Sequence, residues 1–146
     1  MKHKKQISAV ALALFFLFAF GAAQQKQELQ QRRLPAEINA LKSTGASTGT
    51  SGVSGIQTRV LKGDPEKGGL YTIQLTVPPN TTIQAHTHPD DRVATVISGT
   101  WYIGYGNQFD EKQLKALTAG SFYTEPPKSA HFARTGKQAV VVQITG

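Results

Sequence analysis

From Ile56 onward the chain is a succession of short apolar-alternating runs cut by glycine and proline. Side chains on a strand alternate between faces, so each such run buries one face against a partner. The runs cover residues 57–61, 70–77, 83–88, 93–97, 101–105, 121–125, 131–134 and 139–145. Turn material separates them: Lys62-Gly63-Asp64-Pro65, Lys67-Gly68-Gly69, Pro78-Pro79-Asn80, Ser98-Gly99 and Pro126-Pro127. Many short strands at regular spacing predict an all-β sandwich or barrel. One stretch departs from the pattern. Residues 110–117, DEKQLKAL, set Leu114 and Leu117 three apart behind a capping Asp110, which predicts a short helix covering one end of the barrel.

The N-terminal third has a different texture. Residues 1–6 are basic, residues 7–20 form a 14-residue apolar run, and Gly21-Ala22-Ala23 are small. That is the pattern of a secretory signal peptide, with cleavage expected after Ala23 and a secreted or periplasmic product. The apolar run falls short of the ~20 residues that span a bilayer, so no stable membrane span is expected after cleavage. Residues 24–42 are rich in Gln, Lys, Arg, Glu and Leu, with Pro35 placed to open a short helix. Residues 43–55, STGASTGTSGVSG, offer almost nothing to bury. The expected organisation is a signal peptide over 1–23, a flexible polar linker over 24–55 and one folded domain over 56–146.

Composition removes several classes of function. There is no cysteine, which excludes disulfides, thiolate metal sites and a cysteine nucleophile. The formal charge of +7 falls to +4 once Lys2, Lys4 and Lys5 leave with the signal peptide. The remaining basic residues are scattered and form no stripe with interleaved aromatics, so no nucleic-acid partner is expected.

Chemistry concentrates at the histidines. His3 lies in the leader; His86 and His88 stand at i and i+2, and His131 opens the run HFART. Side chains two apart on a strand share a face, so His86 and His88 can aim at one atom. Neutral imidazole is the commonest metal ligand. Nitrogen donors disfavour hard, oxygen-seeking ions, so a divalent transition metal (iron, manganese, zinc or nickel) is expected over calcium.

These residues resemble the two motifs of the cupin family. In the first, Gly-x5-His-x-His-x3-4-Glu-x6-Gly, Asn80, His86, His88, Arg92 and Gly99 hold the named positions. In the second, Gly-x5-Pro-x-Gly-x2-His-x3-Asn, Gly120, Pro126 and His131 match, while Lys128 and Thr135 replace Gly and Asn. The stretches between are similar to small secreted single-domain cupins. The resemblance covers residues 56–146. It implies a double-sheet jelly-roll barrel with a metal held between the sheets, His86, His88 and His131 as ligands, and a homodimer. An apolar strand at 139–145, almost at the chain end, fits the need of small jelly rolls to cover their edges.

Arg92 departs from the family, whose usual fourth ligand is a glutamate at that position. A guanidinium ~5 Å from a divalent ion, at an effective dielectric of ~20, costs on the order of 6–7 kcal/mol before surroundings respond. Three arrangements answer this. Arg92 pairs with Asp90 or Asp91 and turns away; or it joins the metal in gripping an anionic ligand; or no metal binds and the histidines line a pocket. Asp90, Asp91 and Glu125 are candidate replacement carboxylates, each weighed against a solvated turn residue. Three-histidine cupins include dioxygenases, so the resemblance leaves oxygen activation or Lewis-acid chemistry on a small anionic molecule open. Non-catalytic capture of a small molecule or metal is the alternative. Arg92, Tyr123 and Trp101 are the candidate substrate-binding residues. Tyr102, Phe122 and Phe132 are further aromatics expected in the cavity or the core.

Overall fold

Among the described residues nine strands form where the alternation places them, with one addition. They are β1 (Gln57–Lys62), β2 (Thr72–Val77), β3 (Thr82–His86), β4 (Arg92–Ser98), β5 (Thr100–Tyr105), β6 (Lys115–Thr118), β7 (Phe122–Glu125), β8 (His131–Thr135) and β9 (Val140–Thr145). The structure is a computed structural model and describes residues 30–45 and 49–146. The signal-peptide reading lies outside the described residues. Among those residues no helix is long and apolar enough to cross a membrane.

The strands make two antiparallel sheets, in the orders β1-β2-β9-β4-β7 and β3-β8-β5-β6. Alternation decides what each sheet turns inward. Ile73, Leu75 and Val77 on β2, Val140, Val142 and Ile144 on β9, and Ala94 and Val96 on β4 are all buried. They meet Ile83, Trp101, Ile103, Leu117 and Ala133 of the second sheet in one cluster. This is a double-sheet jelly roll with its core between the layers.

The helix expected over residues 110–117 does not form. A single 3-10 turn, Glu111–Gln113, is capped by Asp110, whose side chain accepts from the Lys112 N–H. The chain then enters β6, where Leu117 lies opposite Trp101. Leu117 gains more by filling the barrel between β5 and its own sheet face than a one-turn amphipathic helix returns in isolation. The turn also serves the outer side of the sheet. Phe109 packs on Phe132 at 5.2 Å between ring centroids, and Phe132 lies where any side chain at Gly104 would stand. Phe132 is therefore fully buried on the face away from the histidines.

The short helix opened by Pro35 does form, as α1 (Pro35–Asn39), with the Glu37 carboxylate accepting from the Leu34 N–H. Residues from Ile38 to Gly146 form one compact unit. The described residues of the polar run, 43–45 and 49–55, are less free than their composition predicts. Thr44 exchanges two backbone hydrogen bonds with Thr58, at 2.9 and 2.8 Å. Thr50 is buried and Val53 packs against the core. Backbone pairing needs no apolar side chain, so a run of threonine, serine and glycine can still add to an open sheet edge.

Candidate metal centre

The site begins with one rung of the β3–β8 ladder. His86 and His131 are directly paired across it. Their rings stand 4.4 Å apart between centroids. His88 arrives differently from the expected strand position, because β3 ends at His86. Its backbone carbonyl accepts from the Lys128 N–H at 2.7 Å, which ties the loop after β3 to the loop before β8. That tie holds the His88 ring 4.8 Å from His86 and 5.2 Å from His131. Lys128 sits at φ 59° and Asn80 at φ 54°. Both stand where the motifs the sequence resembles carry glycine, and both have the left-handed backbone that glycine would adopt at less cost.

Hydrogen bonding orients the rings. His86 Nδ1 lies 2.8 Å from the Gln84 carbonyl oxygen, and His131 Nδ1 lies 3.3 Å from that of Ser129. A carbonyl only accepts, so in both rings Nδ1 carries the hydrogen and Nε2 presents its lone pair. The donor atoms of His86, His88 and His131 all fall within 4.8 Å of one another, and this cluster can hold a metal ion.

Arg92, Ala94 and Val96 share the inward face of β4, as their spacing predicts. The Arg92 Nε donates to both carboxylate oxygens of Asp90, at 3.1 and 3.0 Å. Asp90 in turn accepts from the Tyr71 hydroxyl. Of the arrangements open for Arg92, the ion pair with Asp90 is the one present, but it does not turn the whole guanidinium away. Nη1 remains 3.9 Å from Glu125 Oε2. Asp91 is exposed and lines the outer cleft.

Glu125 is not the solvated turn residue its place before Pro126 suggests. It is 5% exposed and lies directly opposite Arg92 across β4 and β7. Its two oxygens stand 3.6 Å from His88 Nε2 and 3.6 Å from His131 Nε2. The sequence carries a signal for this. Glu125 is two residues from Tyr123, a candidate pocket residue, and residues two apart on a strand share a face.

Two spaces meet at the histidines. An inner cavity of about 20 Å³ is lined by Trp101, Tyr123, Glu125 and His131 among others, and has room for roughly one water. A larger cleft of about 860 Å³ opens at the barrel mouth beside Tyr71, Asp90 and the loop bearing Leu70. His86, His88 and Arg92 line both; Trp101 and Tyr123 line only the inner one. Of the three candidate substrate-binding residues, Arg92 alone borders the cleft. The other expected aromatics lie elsewhere: Tyr102 stacks under Arg134 at 4.5 Å, and Phe122 is exposed.

Burial and the Arg92 charge lower the proton affinity of all three imidazoles. His88 is pulled down to about 3 by burial first and Arg92 second. His86 and His131 are lowered chiefly by burial. Glu125 is raised by burial, against the pull of Arg92. The histidines are thus neutral at neutral pH, the form in which an imidazole can bind a metal. The unfolded chain takes up protons on these groups near pH 6.5, while the folded site refuses them until lower pH. The unfolded state binds more protons through that window, so the metal-free protein loses stability as pH falls from about 6.5 toward about 3. Glu125, raised in the folded state, opposes this in part. Urea midpoints measured from about pH 8 to about pH 4 should fall more steeply for the wild type than for a His88→Gln variant. Parallel curves would refute the buried neutral His88.

Comparisons with solved structures place the architecture. An RmlC-like cupin from Shewanella frigidimarina NCIMB 400 superposes with a TM-score of 0.57 at 16% identity, over 80% of this chain and 88% of that one. KdgF from Halomonas sp. gives 0.56 at 14% identity, over 80% and 92%. The polyketide cyclase RemF from Streptomyces resistomycificus gives 0.59 at 16%, over 80% and 78%. No protein-family model matches the sequence, and neither does a curated protein. The chain has the cupin fold, and among the described residues His86, His88 and His131 form a cluster that could hold a metal ion.

Proposed function

We propose that this chain is an exported small cupin that binds one divalent transition ion through His86, His88 and His131 and acts on a small anionic molecule. The observation that carries the reading is the orientation of the imidazoles. Two have Nδ1 committed to backbone carbonyls, leaving Nε2 lone pairs as the groups that face the pocket. Lone pairs brought together and left without a donor favour a cation. When bound, such an ion supplies Lewis-acid polarisation or, if redox-active, oxygen activation.

The chain's own residues set what such a site would accept. The inner cavity is too small for more than about one water, so a substrate would approach from the cleft. There it meets Arg92, whose Nη1 is buried without a hydrogen-bond partner. A guanidinium beside a divalent ion favours a carboxylate or enolate over a neutral or cationic ligand.

Elemental analysis of protein purified from its native compartment, with calorimetric titration of metal-free protein by Zn²⁺ and Mn²⁺, tests the metal. One ion per chain is expected, and no binding of either ion by any route rejects the reading. Oxygen uptake against a panel of small carboxylates and diketones then separates an oxygenase from a site that binds without turnover.

A further inference from the structure

We infer that Glu125 is the fourth metal ligand of this site, its carboxylate brought from β7 in place of a glutamate on β4. The inference rests on the metal-binding reading above and concerns which residues complete it. Arg92 and Glu125 are a direct cross-strand pair, so their side chains leave the same face of the sheet about 4.5–5.5 Å apart at Cβ. An exchange across one rung therefore moves the carboxylate by little more than the width of a strand. The carboxylate then comes from the rung position directly opposite the arginine.

The contacts around Glu125 show what is missing. Its oxygens face His88 Nε2 and His131 Nε2 at 3.6 Å each. The His131 hydrogen sits on Nδ1, so between that Nε2 and the carboxylate stand two acceptors and no donor. At 3.6 Å they are also beyond the reach of a hydrogen bond. Glu125 Oε2 is buried and has no hydrogen-bond partner at all, which costs several times what a made bond returns. Donors each roughly 2.0–2.2 Å from a shared ion stand about 3–3.5 Å apart, close to this spacing. One cation between the carboxylate and the imidazoles would satisfy every one of these atoms. Arg92 Nη1, 3.9 Å from Oε2, is beyond hydrogen-bond reach, so Oε2 is left for that role, while the Tyr123 side chain hydrogen-bonds the carboxyl group.

The charges close as well. Asp90 accepts from the Arg92 Nε, so the closest partner of the guanidinium is Asp90 and not Glu125. A divalent ion bound by three neutral imidazoles and one carboxylate keeps a net charge of one. The repulsion from Arg92 is then about half that against an ion with three neutral ligands.

The test uses Co²⁺ alone as probe, because its visible spectrum reports ligand number and type. Wild type, Glu125→Gln and Glu125→Asp are titrated with Co²⁺ and followed by absorbance and calorimetry. Glu125→Gln keeps the shape and removes the charge; Glu125→Asp keeps the charge and withdraws it by one methylene. We expect both variants to bind at least about tenfold more weakly, with altered band positions and intensities. A weaker affinity with an unchanged spectrum means that Glu125 acts only by charge and overturns the inference. So does unchanged binding in both variants. A wild type that binds no Co²⁺ rejects the metal-binding reading itself, and a variant that fails to refold is recognised by its lost thermal transition. In that case Arg92→Glu/Glu125→Gln serves in its place, with recovery of the wild-type spectrum expected and a three-histidine spectrum overturning the inference.

Discussion

Arg92→Glu converts this protein into one whose stability depends on metal. In the wild type the guanidinium lies between two carboxylates, bonded to Asp90 at Nε and 3.9 Å from Glu125 at Nη1. Its side chain is 5% exposed and that of Glu125 6%. Removing one partner of a buried ionic group leaves the others uncompensated, at a cost of about 3–5 kcal/mol. Arg92→Glu does more, because it sets a third carboxylate opposite Glu125 on the same rung. For a domain of this size the loss lowers the melting temperature of the metal-free variant by at least about 12 °C. A divalent ion reverses the sign of the problem, since the variant then offers it two carboxylates and three imidazoles. Ion at about a thousand times its Kd restores about 4 kcal/mol. Calorimetry with and without Zn²⁺ should show a much wider gap for the variant than for the wild type. A metal-free variant as stable as the wild type would mean that Arg92, Asp90 and Glu125 do not act as one charge group.

The histidines carry the other large effect. His131→Ala should lower Zn²⁺ affinity by at least about 100-fold, and His86→Ala similarly, because each removes one of the three proposed ligands. His131 is 3% exposed and paired with His86 on the ladder, so its loss also leaves a cavity between the sheets. His88→Ala is the cleaner probe. His88 lies beyond the end of β3, and what fixes it is a backbone hydrogen bond from Lys128 that alanine keeps. The same loss of affinity at His88 with little change in metal-free stability is the expected pattern. Equal Zn²⁺ affinity in wild type and His88→Ala would remove His88 from the ligand set.

Several features of this chain are legible in its amino-acid sequence. The strands from Ile56 onward follow from period-two alternation broken by glycine and proline. The cluster of His86, His88 and His131 follows from spacing and motif. The shared face of Arg92, Ala94 and Val96 follows from alternation on β4. The alternation and the shared face are local properties, which depend on residues a few positions apart and on the geometry of one strand; His131, on β8, joins His86 and His88 only through the motif.

What sequence alone could not decide is where strands lie against each other. Residues 110–117 carry a helical spacing, yet Leu117 is drawn into β6 opposite Trp101 because the barrel offers it more burial. The polar run at 43–55 reads as a linker, yet Thr44 finds the open edge of β1 and Thr50 is buried. Glu125 stands 33 residues from Arg92 in the chain, and the residues between make a full β5–β6 excursion. Only the register of β7 on β4 makes the two neighbours, and only burial between the sheets makes their charges strong enough to organise the site. Period and motif act along the chain, whereas register and dielectric arise only once the sheets have closed.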